Sequence, residues 1–369
     1  MARERARKLL RGEPLDKIPF FLGGLDHPAH TTKVTGIDAY KYPGEAYLEY
    51  CRRLDIDIIG GVPGGSDHYA PGEVKEVREG WSAAEWGIGG TVWHNPAGFN
   101  SPEDVLNFKP LENDFDTVYG ELKHRRSVAE LAEEFGEAHR RSQERIGDVA
   151  LTFGGFGTTL FQYGIAIFGW EAFLETAGCY PKEYKALLDQ FAEISIKVTT
   201  AWAQTDIEMF WSHDDLAMTR GTVFHPDWYR EYIIPWYKEI WAPLKQRGIK
   251  VILVSDGDYS AIVDDIFAAG ADGCFSEPLV DIGMLVDKFG EDKILVSGAD
   301  TRVLTTGTPA DVEADVRSKM AIARRAKSLC FMAGGGTPQN CPMENVDALY
   351  GTFAEMRELS PEPGKVSVK

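Results

Sequence analysis

Positive charge is scarce in this sequence: 39 Lys and Arg stand against 57 Asp and Glu, a formal net charge of -18. That deficit works against a phosphate-backbone partner and leaves no polybasic patch for a lipid surface, so neither nucleic acid nor membrane is expected as a partner. Long apolar runs are missing too. No stretch approaches the roughly 20 apolar residues of a membrane span, and the opening MARERARKLLRGEPLD is charged and amphipathic, unlike a signal segment, so a cytoplasmic protein is expected. Cysteine is sparse: Cys51, Cys179, Cys274, Cys330 and Cys341 form no CxxC pair and no even set, which argues against structural disulfides. Nor does any GxGxxG follow an apolar run with an acidic residue at the distance a dinucleotide site needs. FGGFGTT at 153–159 lacks that spacing and reads as tight packing.

What is present is material for a large core cut into short pieces. Eight apolar runs occur at IPFF (18–21), DIDIIGG (55–61), DVALTFGG (148–155), DIEMF (206–210), KVILVS (250–255), DGCFSE (272–277), KILVSG (293–298) and LCFMAG (329–334). Several carry Val, Ile and Phe without polar alternation, the pattern of parallel strands buried on both faces. Helical patterns separate them. The clearest spans 309–327, with Val312, Val316, Met320 and Ala323 as its stripe, Thr308 as N-cap and Asp311 at N3. Others cover 181–201, 226–245 with a bend at Pro235, and 344–356. The alternation predicts an α/β fold, a single (β/α)8 TIM barrel over 1–369. Residues 72–117, rich in Gly, Asn and Pro, are expected to form a β-hairpin insertion over its C-terminal mouth.

Acidic and histidine residues collect at the ends of these runs: His213, Asp214 and Asp215 after the fourth, Asp256 and Asp258 after the fifth, Glu277 after the sixth and Asp300 after the seventh. A barrel gathers such positions at one mouth. A carboxylate beside an imidazole orients it, and crowded carboxylates share protons, receive donors or bind a cation, so His213, Asp214, Asp256 and Glu277 are the catalytic candidates. Adjacent residues rarely point the same way, so one of Asp214 and Asp215 is expected to face the pocket; the rival reading of either is a helix or turn cap. Trp86, Trp93 and Trp211, with Asp258 and Asp300, are candidates for substrate contact. Gly334, Gly335 and Gly336 after the eighth run allow close approach of a cofactor. Whether a metal is bound stays open, with His213, Asp256, Glu277 and Cys341 as the further candidates.

Read in order, RARKLLRGEPLDKIPFF, AEWGIGGTVW, HDDLAMTRGTVFHPDWYREYIIPW, GIKVILVSDGDYSAIVDDIFAAGADGCFSEP, DKFGEDKILVSGADTRVLTTGTPADVEADVR and GGGTPQNCPMENVDAL resemble the uroporphyrinogen decarboxylase superfamily, in particular its corrinoid-linked methyltransferases. The resemblance covers most of the chain and implies a single barrel with its cleft at the C-terminal strand ends. In the zinc-dependent, thiol-methylating members, a His-x-Cys pair ends the fifth strand and a Gly-Cys-Gly turn ends the eighth. The matching positions here are Val254, Asp256 and Gly335, so the usual zinc ligands are absent. The arginine-containing signature of the tetrapyrrole decarboxylases is also missing, FLGGLDHPAH standing in its place. The resemblance thus implies a methyltransferase that takes a methyl group from a small O- or N-methylated donor and passes it to a corrinoid (cobalamin) carried by a partner protein, an O-demethylation if the donor is an ether. A decarboxylase of a small carboxylated substrate and a noncatalytic corrinoid-binding protein are the rivals. Zinc and a homo-oligomeric state are left open.

Overall fold

All eight apolar runs contribute to strands, and within each of the two units into which the chain divides these eight strands pair in parallel. The computed structural model describes residues 1–23, 27–63, 75–78, 81–83, 91–92, 98–115, 125–334, 336–338 and 340–359. One unit comprises Met1–His68, Ile146–Leu151 and Asp281–Lys369; the other comprises Tyr69–Arg145 and Thr152–Val280. The strands are β1 (Phe20–Leu22), β2 (Ile58–Ile59), β3 (Gly154–Thr158), β4 (Met209–His213), β5 (Lys250–Ser255), β6 (Gly273–Ser276), β7 (Ile294–Ala299) and β8 (Leu329–Ala333).

The first unit carries the order β2-β1-β8-β7, with Phe20 opposite Phe331 and Ser297 also opposite Phe331 from the other side. Its helices include Ala2–Arg11, Pro309–Ala323 and Met343–Met356. Thr308 and Asp311 form the expected capping box, each side chain accepting from the other's backbone amide. A buried ionic cluster fixes the start of β2. Asp57, with no exposed surface, accepts from Arg5 Nε at 2.7 Å, Arg357 Nη2 at 3.0 Å and the Phe20 amide at 2.8 Å. Three charge-assisted bonds satisfy a carboxylate that would otherwise be costly to bury.

The second unit carries β3-β4-β5-β6. β5 is the simplest case: Val251, Ile252, Leu253 and Val254 are all buried, as a strand covered on both faces requires. β3 departs from expectation. Leu151 makes only an isolated bridge to Ile58, and the strand proper is the glycine-rich 154–158. Gly155 sits at φ +85°, and a Cβ there would lie 2.6 Å from the Trp211 carbonyl oxygen; the register with β4 shifts between Gly155 and Gly157. Close approach to a tryptophan strand, not side-chain β-propensity, sets this element.

The long helix Pro181–Trp202 buries Tyr184, Leu187, Leu188, Phe191 and Ile194. Each such side chain contributes about 1.5–3 kcal/mol. Pro235 acts as expected: the pattern over 226–245 is two helices, Pro226–Tyr232 and Ile234–Gln246, divided at Ile233. Within the expected insertion, Lys75–Arg78, Trp81–Ala83 and Thr91–Val92 pair as short antiparallel strands, and Ser101 caps a helix at Pro102–Leu106.

Candidate active site

The alternation of β4 sorts the three polar residues at its end. Trp241 Nε1 donates to the Ser212 hydroxyl at 2.9 Å and the Tyr237 hydroxyl donates to Asp214 at 2.8 Å, both from the helix Ile234–Gln246. Residues 212 and 214 therefore face the helix layer, and Trp211 and His213 face the opposite way. Paired positions on neighbouring strands share a face: His213 lies opposite Val254, and Val254 opposite Phe275. Two residues beyond these come Asp256 and Glu277, so His213, Asp256 and Glu277 project from one side of the sheet.

Asp215 is the centre of the resulting cluster. Its Oδ1 lies 3.2 Å from His213 Nε2 and accepts from the Asp256 amide at 3.2 Å; its Oδ2 accepts from Gln162 Nε2 at 3.1 Å. The Asp215 amide in turn donates to Gln162 Oε1 at 3.3 Å. Glu277 closes the next position by accepting from the Gly257 amide at 3.2 Å. Gly257 is the hinge that permits this. It adopts φ +76°, and a Cβ would lie 2.5 Å from the Ala217 carbonyl.

Electrostatics divides the labour among these groups. Burial pushes the His213 imidazole down, but its hydrogen bond and charge contact with Asp215, together with Asp214 and Asp256, outweigh that and raise it. Burial pushes Asp215 up, yet the His213 contact and the hydrogen bonds from Asp256 and Gln162 hold it below the usual carboxylate range. Asp256 goes the other way: desolvation first, then the charges of Asp215 and Glu277, lift it to about 7 despite His213. Asp256 is exposed, so a reactant can reach its carboxyl. A hydrogen-bonded histidine–aspartate pair and one carboxylic acid lifted to about 7 therefore stand side by side.

Asp214, a catalytic candidate by sequence, occupies a different environment. It has no exposed surface, and its oxygens accept from the amides of Leu160, Phe161 and Gln162 at 3.0–3.1 Å as well as from Tyr237. Burial raises its pKa against those hydrogen bonds. These bonds tie the start of the helix Gln162–Phe168 to the helix Ile234–Gln246. Trp211, 2% exposed, stacks on Phe153 at 4.3 Å and tilts against Phe275, so its ring is engaged in packing. Asp258 accepts from the amide and hydroxyl of Ser260 and starts the following turn.

The remaining candidates lie in the first unit or outside the described residues. Asp300 caps the helix Thr301–Thr306 and is paired with Arg302 at 2.6 Å. It borders a cavity of about 490 Å³ whose other carboxylates are also engaged, Asp311 in the Thr308 cap and Asp315 with Lys319. Cys341, 4% exposed, has its thiol raised by burial and lies 3.6 Å from Thr305 Oγ1. Gly334 turns at φ +45° against Thr301, whose Oγ1 lies 2.4 Å from where a Cβ would stand, so this glycine is accounted for by its own chain. Gly336 has φ +139°. Trp86, Trp93 and Gly335 fall outside the described residues.

Comparison with known proteins fits this scaffold. A family model described as uroporphyrinogen decarboxylase (URO-D) matches residues 120–356. The chain belongs to the uroporphyrinogen decarboxylase family. No curated protein matches this URO-D member at a significant level. Among solved structures, a methyltransferase from Methanosarcina mazei is 17% identical over 96% of this chain and 98% of that one, with a TM-score of 0.61. A type I 3-dehydroquinate dehydratase from Clostridium difficile is 12% identical over 62% and 78%, with a TM-score of 0.31. The first likeness shows the fold of this URO-D chain to be α/β and TIM-barrel-like. URO-D proteins are enzymes. Among the described residues no helix is long and apolar enough to cross a membrane.

Zinc of the thiol-activating kind does not fit this URO-D site. Val254 offers a buried hydrocarbon where that branch has its histidine, Gly335 has no side chain, and Cys341 is buried with its thiol raised. Among the described residues no group of three or more His, Cys, Asp or Glu side chains is arranged to hold a metal ion. Gln162, which the sequence hides within the apolar run FQYGIAIF, is the site residue that sequence reasoning missed. No signal in its own neighbourhood distinguishes it from a core position.

Proposed function

We propose that this URO-D protein is a methyltransferase that takes a methyl group from a small methylated donor, an ether in preference to an amine, and delivers it to a corrinoid carried by a partner protein. The observation that carries this reading is the placement of Asp256 at the exit of β5, between Asp215 and Glu277 and on the same face as His213. The corrinoid supplies the electron pair that accepts the methyl group. What the chain must supply is a proton for the group left behind.

An alkoxide is a poor leaving group, whereas an amine departing from an ammonium leaves neutral and needs no proton. An acid near neutrality is therefore matched to a carbon–oxygen bond, and Asp256 gives its proton to the departing oxygen. Asp215 stays ionised, orients His213 and discourages loss of the Asp256 proton to bulk base by keeping a negative charge beside it. A substrate bearing several carboxylates suits this site poorly, because Asp215 and Glu277 already crowd it with carboxylates beside the single imidazole. That argues against decarboxylation of a polycarboxylate.

The test incubates the full chain with cob(I)alamin and a donor panel of methoxylated aromatics, aliphatic methyl ethers, N-methylated amines and small carboxylic acids, following methylcobalamin by absorbance and carbon dioxide by mass spectrometry. Methyl transfer from an ether is expected, and Asp256→Asn should slow it by about 10²–10⁴-fold. Release of carbon dioxide from the acids with no methyl transfer would reverse the assignment.

A further inference from the structure

We propose that Gln162 is a positioning residue of the site, its carboxamide gripping both the backbone and the carboxylate of Asp215 so that one chosen oxygen is presented to His213 and to the Asp256 amide. The grip has two points, Gln162 Nε2 to Asp215 Oδ2 at 3.1 Å and the Asp215 amide to Gln162 Oε1 at 3.3 Å. Gln162 is 4% exposed and is itself held, its own amide donating to Asp214 Oδ1 at 3.0 Å. With Oδ2 held by the carboxamide, the carboxylate is oriented so that Oδ1 faces both His213 Nε2 and the Asp256 amide, each at 3.2 Å. Without the grip the carboxylate is free to rotate about its Cβ–Cγ bond, and the imidazole loses a partner of fixed position.

The residue type follows from the geometry. One side chain must donate to a carboxylate and accept from a backbone amide at once, which a carboxamide does and neither a hydrocarbon nor an ionised carboxylate can. Glutamate in this position fulfils both roles only while protonated. Ionised, it sets a further negative charge about 3 Å from Asp215. The charged groups around the affected pair are those already described: Asp214, Asp215 and Asp256 facing His213, and Asp215, Glu277 and His213 facing Asp256.

The experiment uses the full chain as wild type, Gln162→Leu and Gln162→Glu, with imidazole nitrogens observed by ¹⁵N NMR and His213 assigned from His213→Ala. In Gln162→Leu the His213 titration midpoint should fall, since the Asp215 contact that raises it is loosened. An unchanged midpoint in a folded Gln162→Leu overturns the proposal. The second arm rests on the methyltransferase reading: with a donor that the wild type uses, Gln162→Leu should lose about 100-fold in kcat with KM little changed. Measured against the wild type at the same pH, Gln162→Glu should come close to wild-type activity at pH 5 and fall well below it by pH 8, while a constant ratio to the wild type counts against the clamp. If the wild type transfers no methyl group from any donor, the functional reading fails while the NMR arm still decides the role of Gln162. Should Gln162→Leu fail to fold, the pH dependence of the His213 environment in Gln162→Glu decides it instead.

Discussion

Replacing Asp214 by asparagine separates two neighbouring aspartates whose sequence context is nearly the same. The side chain keeps its shape, but one oxygen becomes an NH2 group pointing at donors. Asp214 Oδ2 accepts from the Leu160 and Phe161 amides and from Tyr237, at 3.0, 3.1 and 2.8 Å. The tyrosine hydroxyl can turn and accept from the new NH2, and Leu160 retains Oδ1, so the amide of Phe161 is the donor left without a partner. A hydrogen bond to a charged group contributes about 1.5–3 kcal/mol, and relief of the burial cost of a carboxylate offsets part of the loss in the remaining ones, giving a net destabilisation of about 2–3 kcal/mol. With about 2.1 cal/mol/K of unfolding entropy per residue, that lowers Tm by about 3 °C. Differential scanning calorimetry and urea unfolding measure it, with the His213 titration followed alongside. The midpoint should fall only slightly, because the Asp215 hydrogen bond and charge that raise it most are kept and only the smaller Asp214 contribution is lost. If Asp214→Asn leaves Tm within about 1 °C yet abolishes the His213 shift or the reaction, the face assignment of β4 is wrong and Asp214 belongs to the chemistry.

Three further outcomes are expected. Asp256→Asn should raise Tm at pH 8 and leave it unchanged at pH 4: the folded protein holds the Asp256 proton up to about 7, the unfolded chain releases it near the ordinary value of about 3.9, and the stability so gained is lost as pH rises through 7. Tm curves that run parallel across that window would contradict the raised carboxyl. Asp57→Asn should cost about 3–5 kcal/mol in urea unfolding, because two guanidinium groups in the first unit lose their anion, and a cost under about 1 kcal/mol would mean that the cluster is hydrated. Gly257→Ala should slow methyl transfer while circular dichroism stays native, since its Cβ collides with the Ala217 carbonyl and displaces the turn carrying Asp256; unchanged kinetics would show that the turn tolerates the shift.

The sequence made the scaffold readable where burial and local chemistry agree. β5 announces itself as four consecutive buried aliphatics, and Thr308 with Asp311 marks a helix start from four residues alone. β3 was harder, because its glycines accommodate Trp211, a residue more than fifty positions away, and no local pattern encodes that. The site shows the same limit. Alternation allowed one of Asp214 and Asp215 to face the cluster, but choosing between them requires knowing where Tyr237 and the amides of 160–162 lie. Gln162 was illegible for the same reason, since its meaning comes from a partner 53 residues away.

The bond between Arg357 and Asp57 spans 300 positions, and the unit it fastens is assembled from both ends of the described chain with almost the whole of the other unit threaded between them. On the ribosome this imposes an order. Residues 152–280 emerge as one stretch carrying β3 to β6 and can settle early, whereas Asp57 waits beside Arg5 for its second cation until the final helix has left the exit tunnel. At about 5–20 residues per second the delay is tens of seconds. During that interval β1 lacks the strand beside it, Leu329–Ala333, and its edge stays unpaired.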